Sequence, residues 1–300
     1  MEPVRTTFRA MASAHELALW HADAAHARRI AEAVVADVRR IEAKYSRYRD
    51  DSVVSVINRN AGGARVPIDA ETAALLRYAA AVHALSAGRF DVTSGVLRRV
   101  WDWKRSPPVL PDAAALAAAV ALIGWDRVEF DDRTVRLPRP GMEIDFGGIG
   151  KEYAADRAAT ICLDAGVVHG LVNLGGDVRI VGPRPDGSRW RIGIRHPRRE
   201  SEAIAAVELA SGAVATSGDY ERYFEIDGQR YSHLLDPVTG WPVTRWQSIT
   251  VVAPLCIVAG SHATTAMLLG STAARWLDDA GLPWLGVAAG GTLAGPLAGG

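Results

Sequence analysis

The chain reads as an α+β protein on three observations. Helical periodicity falls in separate blocks, residues 22–45 the longest of them. From residue 170 to 252 the chain is short strand-like runs divided by Gly and Pro turns. Strands and helices do not alternate strictly, and no segment repeats, so a doubly wound parallel sheet is disfavoured. The expectation is one domain over residues 1–300, with mixed or antiparallel sheets and packed helices. An apolar fraction of 49% is enough for its core.

Each element has a local reason. Residues 16–20 alternate as a strand does. Residues 22–45 carry Ile30, Val34, Val38 and Ile41 at helical spacing, with charges on the opposite face. A second helix is expected from an Asp69 N-cap, with Thr72 three residues on, to Ala87; Gly88 then supplies the left-handed C-terminal position. Residues 103–111, rich in proline, form a loop. Asp112 caps an alanine-rich helix, and residues 128–130 and 134–137 pair around Asp131-Asp132. A glycine turn leads into a helix over 151–165, and residues 259–269 return to helix.

Composition removes several functions. Acidic and basic residues balance at 34 each, so neither a nucleic-acid footprint nor a basic membrane face is present. No run approaches the ~20 apolar residues that span a bilayer. Cys162 and Cys256 stand alone in apolar helical contexts and read as buried hydrophobes without a disulfide. The first residues show no signal peptide and no cysteine that could be lipidated, so a cytoplasmic protein is expected. A trimmed export signal would leave the same sequence.

The richest stretch is residues 215–242. Asp227-Gly228 is the dipeptide of a tight hairpin turn, flanked by Tyr223, Phe224 and Ile226 on one side and residues 229–233 on the other. His233 closes the return strand and runs into Asp236-Pro237-Val238-Thr239-Gly240-Trp241-Pro242, which cannot stay in a sheet. A His on a rigid strand end beside a stiff loop is how a proton-transfer group is placed, although a His bonded to its own loop has the same sequence.

Four further segments carry chemistry. Residues 144–151, IDFGGIGK, run from Asp145 through a glycine turn to Lys151 in the first turn of a helix. Glycines, helix N–H groups and a Lys charge suit a bulky anion; strand–helix packing explains the glycines equally well. The spacing is neither a P-loop nor a dinucleotide fingerprint. Asn173-Leu174-Gly175-Gly176-Asp177 reads as a strand interrupted by a bulge, or by the close approach of a ligand. Asp91 and Thr93 after Gly88 read as local turn-makers. Ser261 and Thr265, four apart, can present two oxygens to a phosphate or hard cation. Alternatively, Ser261 caps the helix and Thr265 bonds a carbonyl one turn back.

In order and spacing these segments resemble the FAD:protein FMN transferases, the ApbE-type flavin transferases with a T-fold-related domain. The resemblance runs through residues 8–13 with Met11, Tyr48 with residues 52–58, 88–97 with Trp101, 145–156, 173–177 and 216–242. It implies phosphoryl transfer: FMN passes from FAD to a Ser or Thr hydroxyl of an acceptor flavoprotein, and AMP leaves. It implies His233 as general base, with Asp236 and Thr239 ordering its loop. Lys151 and the glycine turn would hold the diphosphate. Met11, Tyr48, Asp91, Asp145, Asn173, Gly175, Gly176, Asp177, Ser217 and Asp219 would complete the FAD site. Mg²⁺ would bind the Gly150 carbonyl and the positions of Ser261 and Thr265. Five positions depart from the family pattern. Ser261 stands for an Asp, which removes a full charge from a hard-cation site; Gly150 stands for an Ala, which leaves the carbonyl unchanged; Glu152 stands for a Gly; and Ala12 for a Gly and Ser13 for a Thr are read as mild changes. Two other functions fit the same residues: a metal-dependent FAD diphosphatase, and a flavin binder without turnover.

Overall fold

The computed structural model describes residues 2–299. Its centre is an eight-stranded sheet in the order Val4–Ala10, Ser13–Trp20, His169–Leu174, Asp177–Gly182, Gly212–Gly218, Trp246–Ala253, Trp284–Ala288, Leu293–Ala294. Every neighbouring pair is antiparallel. Both ends of the chain therefore enter one sheet, and the expected antiparallel α+β architecture is present.

Among the described residues seven α-helices accompany it: α1 Ala24–Tyr45, α2 Val53–Arg59, α3 Ala70–Leu85, α4 Ala113–Val120, α5 Gly150–Asp164, α6 Cys256–Leu269 and α7 Ala273–Asp279. Asp69 and Asp112 cap α3 and α4 as their sequences predict, accepting from Thr72 N–H at 2.9 Å and Ala115 N–H at 2.9 Å. The short α2, capped by Ser52, was not evident in the sequence, because seven residues carry too little periodicity to stand out.

One face of the sheet packs on α1 and α5, where Leu17, Leu19, Val172 and Leu174 meet Ile30, Val34, Val38 and Ala155. The other face is covered by a hairpin of Trp190–His196 and Arg199–Leu209, against Ala18, Val178, Ile180 and Val214. Burial on both faces explains why the central strands do not alternate cleanly between polar and apolar.

The α6 N-terminus has no cap of its own. Asp156, from the middle of α5, supplies one: its carboxylate accepts from Cys256 N–H at 2.8 Å and Ile257 N–H at 2.9 Å. Arg179 donates to the same group at 3.1 Å. Three elements are thus fixed to each other through one half-buried side chain. Both cysteines are buried and free, as expected.

Candidate active site

Register brings the sequence-separated segments together. Met11 and Ala12 form the two-residue turn between the first two strands, since Ala10 pairs with Ser13. Gly175 and Gly176 join the next two, since Leu174 pairs with Asp177. The strand after these reaches Ser217-Gly218 at the same end of the sheet, where Asp219 N–H donates to Gln247 at 2.9 Å. Five adjacent strands therefore present Met11, Ala12, Gly175, Gly176, Asp177, Ser217 and Asp219 along one rim.

The two turns differ from their sequence-based readings. Gly175-Gly176 is a hairpin turn and not a bulge: both residues have positive φ, +61° and +96°, as a type I′ turn requires. A Cβ on Gly175 would lie 2.6 Å from the Ser13 hydroxyl, so a side chain is excluded there. Asn173 stabilises the turn by accepting from Gly176 N–H at 2.9 Å. Met11 and Ala12 have φ of +49° and +62°. Ala12 is thus more than a mild exchange for Gly, because a Cβ is strained in the left-handed region. The Met11 N–H donates to the Glu42 carboxylate.

Lys151 reaches the rim from α5, whose N-terminus has no side-chain cap. Its ammonium lies 2.9 Å from Asp177 and donates to the Gly175 carbonyl at 3.2 Å. The ammonium is thus held between an ion pair and one hydrogen bond, both to residues of the rim. Burial opposes its charge, but Asp177 and Glu152 prevail and hold the ammonium well above the ordinary lysine range. Asp145 stabilises the glycine turn by accepting from Gly147 N–H at 2.9 Å, and it is ion-paired with Arg47. Arg47 in turn donates to the Tyr48 hydroxyl at 2.9 Å, while Tyr48 itself is 71% exposed.

The hairpin Tyr223–Ile226 and Gln229–Ser232 turns at Asp227-Gly228 as the sequence predicts, with φ of +49° and +76°. His233 follows, half-buried, with its backbone N–H donating to the Arg222 carbonyl at 3.0 Å and its Nδ1 at 3.3 Å from the same oxygen. That contact assigns the ring proton to Nδ1 and leaves the Nε2 lone pair for another partner. Burial first, then the charges of Arg222 and Arg47, lower its pKa to about 4. The imidazole is therefore neutral at pH 7.

Asp236 does not touch His233. It holds the following loop, accepting from Val238 N–H at 2.9 Å and pairing with Arg89 at 2.9 Å. Thr239 accepts from Trp241 N–H at 3.2 Å, and Trp101 Nε1–H donates to the Gly240 carbonyl at 2.9 Å. Asp219, which acts electrostatically on His233, is clamped by Arg198 through two 2.6 Å bonds. Tyr220 feels both Asp219 and Lys151, and Arg47 both pairs with Asp145 and acts on His233. Through Tyr220 and Asp219 the electrostatic surroundings of His233 and Lys151 overlap.

Other expected site residues have internal partners. Asp91 is buried, with one oxygen accepting from Thr93 N–H at 2.7 Å and its hydroxyl at 2.6 Å, the other from Trp125 N–H at 3.1 Å. It starts a 3₁₀ helix, Val92–Arg99, which is the turn-maker reading. The Ser217 hydroxyl bonds Thr264 at 2.7 Å, tying the rim to α6. Ser261 lies in the second turn of α6, inside the helix and not at its cap. Its hydroxyl is taken up by Tyr78 at 2.8 Å and the Val258 carbonyl at 3.2 Å. Thr265 Oγ1 instead is buried without a partner, so the expected bond one turn back is absent; Glu152 Oε2 is in the same condition. A hard cation suits these two orphaned oxygens better than it suits Ser261. Among the described residues no group of three His, Cys, Asp or Glu is placed to hold a metal alone. Arg47, Tyr78, Glu152 and Arg198 were not singled out as site residues from sequence, because their roles come from contacts across 21 to 183 positions.

Comparison with known proteins bears on this rim. The ApbE family model matches residues 7–284. The FAD:protein FMN transferase of Vibrio cholerae is 33% identical over 229 residues, 75% of this chain and 69% of its own length. One from Klebsiella pneumoniae is 34% identical over 232 residues, 76% and 72%. The solved ApbE protein of Thermotoga maritima aligns with a TM-score of 0.90 at 35% identity, covering 98% of this chain and 97% of its own. The apo form of the flavinyl transferase ApbE of Pseudomonas stutzeri gives 0.84 at 30%, covering 96% and 92%.

Proposed function

The chain belongs to the ApbE family, and from that premise we propose that this rim transfers FMN from FAD to a Ser or Thr hydroxyl of an acceptor flavoprotein, releasing AMP. The protein is a flavin transferase, and FAD is its substrate. The observation that carries the site assignment is a neutral His233, its Nε2 free, in electrostatic contact with the surroundings of Lys151.

The chemistry is a phosphoryl transfer. The acceptor oxygen forms a bond to the FMN phosphorus, the P–O bond to the AMP phosphate breaks, and the hydroxyl proton moves to His233 Nε2. Lys151 and the uncapped N-terminus of α5 neutralise the diphosphate and orient it. Asp236, Arg89 and Trp101 keep the loop after His233 in one conformation, so the base is held before substrate arrives. A neutral base needs no deprotonation at pH 7, although a pKa near 4 makes it a weak one in the absence of substrate. A bound diphosphate favours the imidazolium and strengthens it as the proton arrives. Mg²⁺, when bound, supplies charge neutralisation on the diphosphate; Thr265 and the Gly150 carbonyl are candidates to hold it.

The test incubates the protein with FAD, Mg²⁺ and a candidate acceptor, then reads flavin fluorescence on the acceptor band in a denaturing gel. Labelled acceptor with release of AMP supports transfer. FMN and AMP without labelled acceptor would reassign the site to FAD hydrolysis, and intact bound FAD would make it a binding site.

A further inference from the structure

We propose that Glu152 is the carboxylate ligand of the divalent cation at this site, acting with Thr265 where Ser261 offers none. The inference rests on the flavin-transferase reading above and names a residue that reading does not require. Glu152 is 7% exposed, and its Oε2 has no partner within the protein. Thr265 is fully buried, and its Oγ1 likewise has none. Native interiors leave few polar atoms in this state, and such atoms point to a group that arrives from outside.

The carboxylate lies against α6. A Cβ on Gly260 would sit 2.4 Å from Glu152 Cγ and 2.7 Å from Oε1. Only a glycine at 260 lets this side chain approach the helix that carries Thr265. The neighbouring carboxylates are already ion-paired, Asp177 with Lys151 at 2.9 Å and Asp156 with Arg179 at 3.1 Å. One carboxylate, one hydroxyl and a backbone carbonyl do not enclose an ion. The substrate diphosphate must supply the remaining oxygens, a usual arrangement for Mg²⁺. Cation binding is accordingly expected to require FAD.

Mn²⁺ is the probe. It is titrated into protein saturated with FAD and lacking acceptor, and free Mn²⁺ is read by electron paramagnetic resonance, with FAD alone as control. Flavin fluorescence in the same samples reports FAD binding. The wild type should take up one Mn²⁺ that Mg²⁺ displaces. Glu152→Gln, which mimics a protonated carboxyl, should weaken Mn²⁺ about tenfold or more, and Thr265→Val should act in the same direction. Ser261→Ala should leave Mn²⁺ affinity unchanged, and Glu152→Gly with Ser261→Asp should recover it. If FAD binds and Glu152→Gln holds Mn²⁺ as tightly as wild type, Glu152 is not a ligand, and this inference alone is lost. If Glu152→Gln does not fold, equal Mn²⁺ binding by wild type and Thr265→Val overturns the site. If the wild type binds no FAD, the flavin-transferase reading fails first.

Discussion

Replacing Asp156 by Ala should destabilise the protein by about 3–4 kcal/mol, and the structure shows where that figure comes from. The side chain accepts two backbone N–H bonds at the start of α6 and one from Arg179. Hydrogen bonds to a charged group contribute about 1.5–3 kcal/mol each, and removing one member of a buried ion pair costs roughly 3–5 kcal/mol. The contributions are not additive because all three donors share one carboxylate. Arg179 also keeps its bonds to the Ile180 and Gly212 carbonyls, at 2.8 and 3.0 Å, which draws the total toward the lower end. Urea unfolding followed by tryptophan fluorescence measures the change, with equal slopes for both proteins as the check that only stability moved. Asp156→Asn retains one acceptor and should fall between the two. A loss below about 1 kcal/mol for the Ala variant would mean that α6 is anchored by its apolar face alone.

Two other consequences can be checked with the same material. Ala12→Gly should raise stability by about 0.5–1 kcal/mol, because relief of the left-handed strain exceeds the extra entropy glycine gains on unfolding; a lower urea midpoint would refute the strain. For transfer, kcat/KM for FAD should hold as pH falls through ~6.5 and decline only toward 4. His233 must be neutral to accept a proton, and its depressed pKa keeps it so above about 4. An acid limb centred near 6.5 would show an imidazole unaffected by burial and by its arginine neighbours.

How much was legible in the sequence depended on how far each signal reached. Asp227-Gly228, Asp69 and Asp112 act on residues within four positions, and each does what its type predicts. Asn173–Asp177 was read as an interrupted strand because the sequence does not reveal that Leu174 pairs with Asp177; once it does, two glycines become a hairpin turn. The segment after Gly88 leads into a 3₁₀ helix, Val92–Arg99, which Asp91 caps through Thr93 while its other oxygen accepts from the distant Trp125 N–H. Ser261 looked like a cap because its neighbours are small and polar, but α6 begins five residues earlier, where Asp156 substitutes for a local cap. His233 and its loop were visible as residue types. The arginines that help set its protonation were not, since Arg47 reaches it from the loop after α1.

The central claim is that His233 takes the acceptor's proton, and one comparison tests it directly. His233→Ala and wild type are given FAD, Mg²⁺ and acceptor at pH 7, with FAD affinity measured on the same preparations. The account predicts unchanged FAD binding and a rate of acceptor labelling lower by about 10²–10⁴-fold. Labelling at the wild-type rate by a variant that still binds FAD would show that the proton leaves by another route.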